Sequence, residues 1–306
     1  MNKRRKLINK ENIFYYILVI PGLVFLVMFC YIPIAGLYMV FERYTLAGGL
    51  WGSEFIGLKN FDFFFRNMDF ALRATRNTII INGFSIVLGL VVSVALAIAM
   101  NEVKKQRFRK LTQTVILFPY FISWVVLGTI CHSLLETDTG LFNQIIVFLG
   151  EEPINWYASS QYWWVILIMV TVWKNMGYGS VIYFAALTGF DTTLYEAAEI
   201  DGASRWQRIV RITIPLLKPT IIIMFLLQIG GILFGGVDQI IGMTNLNPLL
   251  LDTTDTIATY VYRTAIQGGQ FESASAVSLY QSIFGFAIVM IANKIVKIAD
   301  PDYVLF

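Results

Sequence analysis

Six stretches of this chain are apolar enough, for long enough, to dictate its surroundings. They run from Tyr15 to Phe41, Ile79 to Met100, Thr114 to Leu135, Trp163 to Leu187, Thr220 to Val237 and Leu279 to Val296. A helix needs about 20 predominantly apolar residues to cross the hydrocarbon core, because every backbone polar group must be satisfied within the segment there. The spacing therefore predicts an all-α polytopic membrane protein with six transmembrane helices. Composition agrees, since 57% of the 306 residues are hydrophobic and only 14% are charged. The first stretch is too long for a secretory signal core and lacks a small-residue cleavage site after a short apolar run, so it reads as a retained span.

Six spans put both termini on one side, and the distribution of lysine and arginine says which side that is. One side collects sixteen: five within 1–10, five within 104–110, then Arg205, Arg208, Arg211, Lys218, Lys294 and Lys297. The other side holds six, namely Arg43, Lys59, Arg66, Arg73, Arg76 and Arg263. Both termini are thus expected in the cytoplasm, with 1–14 an N-terminal tail, 15–298 the membrane domain and 299–306 a C-terminal tail. Arg73 and Arg76 break the rule locally and are expected in an amphipathic lead-in helix outside.

Little in the sequence supports covalent chemistry. The chain has one histidine, His132, and no HExxH, GxSxG or CxxC pattern. Metal-assisted or triad catalysis has nothing to stand on. Cys30 and Cys131 lie inside apolar runs and are expected to be small buried hydrophobes. A net charge of +3 gives no nucleic-acid footprint. No GxxxxGK[ST] phosphate loop occurs, so any ATP-driven work must be done on a separate subunit.

One polar stretch stands apart from this background: LYEAAEIDGASRWQRIVRITIPLLKP, from Leu194 to Pro219. Thr193 and Glu196 are spaced as a capping box, and Gly202 stands where a left-handed C-terminal residue is wanted. Ser204 and Gln207 form a second capping pair, Arg205, Arg208 and Arg211 follow on one face, and Pro215 and Pro219 punctuate the entry to span five. A helix of about eight residues is marginal in water and needs a surface to pack against. Ala197 and Ala198 would let it sink into a groove, with Glu196, Glu199 and Asp201 at the rim. A solvated hairpin, in which Glu196 only caps, satisfies the same spacing.

Glu196-Ala197-Ala198, three residues, Gly202, nine residues and Ile212-Thr213-Ile214-Pro215 resembles the EAA loop of ABC importer permeases, EAA-x3-G-x9-I-x-L-P, with Ile214 in place of leucine. YILVIPGLVFLVMFCYIPI, GLKNFDFFF, LFPYFISWVV, ATYVYRTAIQGGQFESASAVSLYQS and IANKIVK are similar to the carbohydrate-importer permeases of the MalF-related, LplB-like type. The resemblance implies a type I ABC importer permease fold. It implies a cytoplasmic coupling helix carrying Glu196, Ala197, Ala198, Asp201 and Gly202, docked on an ATPase dimer that holds the ATP and magnesium. It further implies a second, related permease, an extracytoplasmic binding lipoprotein, an oligosaccharide or polysaccharide-fragment substrate, and the bacterial cytoplasmic membrane. A permease for a non-sugar solute is the alternative. A membrane-embedded glycosyltransferase would need acidic clusters beside a span, and carboxylates at membrane depth are nearly absent.

Polar groups at membrane depth usually face a bundle interior or a pathway. In span four, WKNMGYG sets Lys174, Asn175 and Tyr178 among apolar residues, with Gly177 and Gly179 expected to loosen the helix. In span five, Gln228, Gly230, Gly231, Gly235 and Gly236 precede Asp238 and Gln239, which reads as an interrupted helix. Asn175, Tyr178 and Gly179 match the family's substrate-contact positions; Gln228 and Gln239 are the candidates from span five, which aligns more loosely. Lys174 is expected to snorkel or pair with a carboxylate if it does not line the path, and the glycines to serve tight packing. Trp156, Tyr157, Tyr162, Trp163 and Trp164 read as an interfacial belt. Tyr120 and Trp124 suit sugar stacking, with packing as the other reading. The loop from Gly242 to Ser275 is expected to form an external helix, either docking the binding protein or lying as a lid on its own subunit.

Overall fold

The computed structural model describes residues 10–66 and 68–300. The basic cluster within 1–9 and the last six residues of the expected C-terminal tail lie outside the described residues. Five helices are long and apolar enough to cross a membrane: Ile13–Phe41 (span one), Met68–Glu102 (span two), Ser160–Thr188 (span four), Arg205–Gly230 (span five) and Phe271–Ile298 (span six). Between spans two and four, Gln106–Phe121 and Trp124–Leu134 pass the same test together, bent by 95°. This pair is span three, broken where a straight helix was expected. The break has a local cause: Pro119 opens a turn over Phe118–Phe121, Ile122 is extended, and Ser123 caps the second half by accepting from the Val126 amide at 3.3 Å. The one departure from an all-α fold among the described residues is a two-residue ladder in the loop after span one, pairing Glu42 with Phe55 and Arg43 with Glu54.

Spans two and four form the spine of the fold. Asn77 accepts from the Trp164 indole at 3.2 Å near one end, and Ser93 donates to the Met176 carbonyl at 3.3 Å further along. Both contacts advance together along the two helices, so these spans run in parallel. Gly179 is what lets them approach, because a Cβ there would overlap the Ser93 side chain. Gly177 plays the same part against span three, where a Cβ would strike the Ile116 carbonyl. The helix runs unbroken through both glycines. They close the packing rather than loosening the backbone, as small residues do in membrane bundles.

Several other expectations change on inspection of the packing. Arg73 and Arg76 belong to the continuous helix of span two, with Arg76 over the Trp164 ring at 5.0 Å. Span five begins at Arg205 and runs through both prolines, with Pro215 at the start of its Ile214–Gly230 part and Pro219 inside it. The aromatic cluster before span four is internal: Trp163 is fully buried and donates to the Trp156 carbonyl at 2.8 Å, while Trp156 and Trp164 donate to Asn143 and Asn77. Tyr162 alone of the five is exposed. Cys30 is exposed rather than buried, on a first span whose most apolar window has no residue buried within the protein.

Candidate functional site

A cavity of about 650 Å³ opens between spans two, four and five and the broken span three. Each wall is one face of a helix. Asn82, Ser85, Gly89 and Ser93 come from span two, and Thr171, Asn175, Tyr178 and Ile182 from span four, both sets repeating every three or four residues. Tyr120 and Trp124 enter from the two sides of the break in span three. Span five contributes Gln228 and then stops at Gly230; after a turn the chain restarts as Val237–Thr244, with Gly236 at its N-cap in the left-handed region, φ 91°. The interrupted helix read from the sequence is therefore present.

Asn175, Tyr178, Gly179, Gln228 and Gln239 all line this cavity. Their tasks differ. Asn175 and Gln228 are exposed to it, and Asn175 spends one amide hydrogen on the Thr171 carbonyl at 2.9 Å. Tyr178 stacks on Tyr120, with ring centroids 4.6 Å apart and planes 11° from parallel. Gln239 is buried, and its amide donates to the Leu167 carbonyl at 2.8 Å, fastening the short helix after span five to span four. Lys174 neither snorkels nor meets a carboxylate. Its ammonium donates to the carbonyls of Pro119, Tyr120 and Ile122, and lies 5.7 Å and 5.3 Å from the ring centroids of Tyr120 and Trp124. Sequence reasoning passed over Asn82, which donates to the Ile232 carbonyl at 2.6 Å and so ties span two to the turn after span five. An asparagine inside an apolar helix was the available signal.

The polar loop forms a hairpin of two helical pieces. Thr193–Ile200 is the short helix, and its start is held by Asp191, which accepts from the Thr193 amide at 2.9 Å, rather than by the expected Thr193–Glu196 box. Those bonds hold the Asp191 carboxyl below its usual range. The end is a Schellman turn. Gly202 sits at φ 79°, its amide donates to the Glu199 carbonyl, and the Ala203 amide donates to the Ala198 carbonyl. The Ser204–Gln207 capping box is present, and Arg208 pairs with Glu199 at 2.6 Å across the hairpin. Glu196, Ala197, Asp201 and Gly202 are exposed, with Ala198 half-buried. Two large apolar residues that the sequence reading did not single out are also exposed, Ile200 at 87% and Trp206 at 72%.

The loop before span six folds onto its own subunit. Ile257–Tyr262 is helical, and Ile257, Ala258, Thr259 and Tyr260 are buried. Asn77 donates to the carbonyls of Asp252 and Asp255 at 2.9 and 3.0 Å, and Arg263 closes on the fully buried Asp255 carboxylate at 2.5 Å. Burial pushes the Asp255 carboxyl up, with Arg263 opposing the rise.

A family model for the inner membrane component of binding-protein-dependent transport systems matches residues 85–304. The polygalacturonan/rhamnogalacturonan transport system permease protein YteP of Bacillus subtilis (strain 168) is 34% identical over 297 residues, covering 96% of this chain and 92% of that protein. Protein LplB of the same organism is 35% identical over 294 residues, covering 96% and 91%. A crystal structure of a bacterial ABC transporter involved in import of the acidic polysaccharide alginate superposes at a TM-score of 0.84 and 31% identity, covering 94% of this chain and 96% of that one. The bacterial alginate ABC transporter in complex with alginate pentasaccharide-bound periplasmic protein superposes at 0.85, also at 31% identity.

Proposed function

The chain belongs to the family of binding-protein-dependent transport system inner membrane components, and on that premise we propose that it forms half of the path by which an ATP-driven importer moves an oligosaccharide or polysaccharide fragment. It is a multi-pass membrane permease with the type I ABC permease fold. It is a transport subunit and not an enzyme, so the glycosyltransferase alternative falls. The observation that carries the substrate reading is the cavity itself. Five residues chosen from the sequence converge on one space of about 650 Å³, with amides, hydroxyls and a stacked tyrosine pair on its wall. That mixture suits a sugar, whose C–H face packs on aromatic rings while its hydroxyls bond to amides.

The coupling reading rests on the hairpin. Ile200 and Trp206 are large, apolar and exposed beside the Ala197 face, which a solvated hairpin would not favour and a groove on an ATPase would cover. The most apolar stretch of span one has no residue buried within the protein, so a second permease is the partner proposed to cover part of it and to close the open side of the cavity. Both termini are proposed to be cytoplasmic. In support, the Lys218–Asp300 ion pair at 2.6 Å and the Arg109 guanidinium over the Phe184 ring at 5.4 Å gather the basic ends on one face. A periplasmic or extracytoplasmic binding protein would deliver the solute on the opposite face.

The test is reconstitution of this chain with its second permease, ATPase and binding protein in liposomes, followed by ATP-dependent uptake of a labelled oligosaccharide panel. Accumulation of at least one glycan is expected. Uptake of a non-sugar solute alone would overturn the carbohydrate assignment.

A further inference from the structure

The cavity wall is rich in hydrogen-bonding groups and poor in positive charge. Among the described residues that line it, Asp238 is the single carboxylate, and no lysine, arginine or histidine contributes. Lys174 lies close by but is 7% exposed, and its ammonium is committed to three backbone carbonyls. Asp238 is exposed and stands in the first turn of Val237–Thr244. A helix N-terminus is where backbone N–H groups would otherwise welcome an anion. Here that end already carries the protein's own carboxylate.

We propose that the glycan segment held in this half of the path is neutral, and that Asp238 both binds its hydroxyls and excludes uronate-bearing chains. The proposal rests on the carbohydrate reading above and narrows it. A carboxylate is an acceptor with two oxygens and pairs well with two neighbouring hydroxyl donors, bonds that its charge strengthens. A sugar carboxylate in the same place would find a like charge and no cation, and burying an unpaired anion is costly. Repulsion of this kind is an ordinary route to specificity. Other acceptors and donors on the same wall, Asn175 and Gln228, are uncharged, and the Tyr120–Tyr178 stack asks only for a sugar's C–H face. This would set the chain apart from the similar transporters named for polygalacturonan and alginate.

The experiment uses the complete transporter with Asn175→Cys as a probe, in a background where Cys30 and Cys131 are replaced by alanine. A cationic and an anionic methanethiosulfonate of similar size are compared, each relative to its rate on a free thiol. The cationic reagent is expected to be favoured about tenfold, and Asp238→Asn is expected to erase that preference, the fold-change an anion sharing a partly shielded cavity gives. Labelling is then repeated with neutral oligosaccharides of several backbones and with oligogalacturonides beside their carboxyl-reduced counterparts. Protection by neutral chains and not by uronides supports the proposal. Equal or better protection by uronides, or an anionic preference in the parent, overturns it while leaving a sugar permease in place. Protection by no glycan, together with no glycan uptake by the transporter that keeps Asn175, overturns the carbohydrate reading and the proposal with it.

Discussion

The Lys174 ammonium donates to the Tyr120 carbonyl at 2.7 Å, and through that bond span four holds the break in span three. The bend of 95° strips carbonyls of their helical partners. An ammonium offers three donors, and Pro119, Tyr120 and Ile122 supply three acceptors. Tyr120 and Trp124, on either side of the break, are thereby set on the cavity wall.

Lys174→Met keeps the apolar stem and removes the donors. The Pro119 carbonyl keeps the Ile122 amide at 3.2 Å, and leaving the Tyr120 and Ile122 carbonyls without this donor should cost on the order of 3 kcal/mol. A fall of several degrees in the thermal unfolding midpoint of the purified complex is expected, with impaired uptake. An unchanged midpoint would mean that the bend holds itself.

Gly177 and Gly202 look alike in sequence and should respond to substitution for different reasons and to different degrees. At Gly177 a Cβ would overlap the Ile116 carbonyl, a backbone atom that cannot step aside. Gly177→Ala is expected to weaken assembly in the membrane by about 1–3 kcal/mol. At Gly202 a Cβ meets open space and only φ 79° resists, so Gly202→Ala should cost about 1 kcal/mol. Comparing the yield and unfolding midpoint of the two variants checks the ordering.

Gly202→Pro goes further, because proline cannot reach a positive φ. With Ala197→Glu and Ile200→Asp it tests the docking face. Each should leave the subunit in the membrane while reducing co-purification of the ATPase and uptake by tenfold or more, since a charge would be desolvated against a groove. Normal recovery of the ATPase with all three would return the hairpin to the solvated reading.

The outer loop carries a pH dependence with a definite sign. Burial raises the Asp255 carboxyl above its ordinary 3.8, and Arg263 limits the rise. A carboxyl raised on folding holds its proton more firmly when folded, so its contribution to stability is largest at low pH and is lost as pH climbs from 3.8 through the folded value. Arg263→Met removes the opposing charge, widens that window upward and should make the loss steeper. Hydrogen exchange of the Thr256–Tyr260 amides, corrected for intrinsic pH effects, is expected to accelerate in Arg263→Met from acid to neutral pH. Adding Asp255→Asn should flatten the profile.

Apolar length and helical period made most of the fold legible, since the lipid allows few other solutions for a run such as Ile79 to Met100. The pattern of Asn175 and Tyr178, three apart, was enough to put both on one wall. What the sequence hid was pairwise. That Lys174 would cap a broken neighbour depends on where span three bends, and that bend is set 55 residues away at Pro119. The tryptophans at the start of span four carry the composition of an interfacial belt, yet Trp163 is buried because Asn77, Asn143 and the Trp156 carbonyl offer partners to the cluster inside. Gly177 could equally mark a flexible or a crowded place until Ile116 was seen against it. Thr193 lost the capping role to Asp191 because both spacings fit one short helix.

Asn175 and Tyr178 are expected to touch the solute in transit. Both are exposed to the cavity from one face of span four, one with an amide and the other with a ring and a hydroxyl. Asn175→Leu keeps the volume and removes the polar partner, so uptake should fall by about tenfold, the value of one lost hydrogen bond to a neutral group. Stimulation of the ATPase by loaded binding protein should largely persist, because the lesion is remote from Thr193–Ile200. That split separates a pathway residue from a structural one, whose loss would lower both activities and the amount of assembled complex together. Tyr178→Phe should act mildly and Tyr178→Ala strongly, since the stack on Tyr120 survives only the first change. Cysteines at these two positions should react with water-soluble thiol reagents in at least one state of the transport cycle. Resistance in every state would identify the pair as sealed packing and remove it from the path.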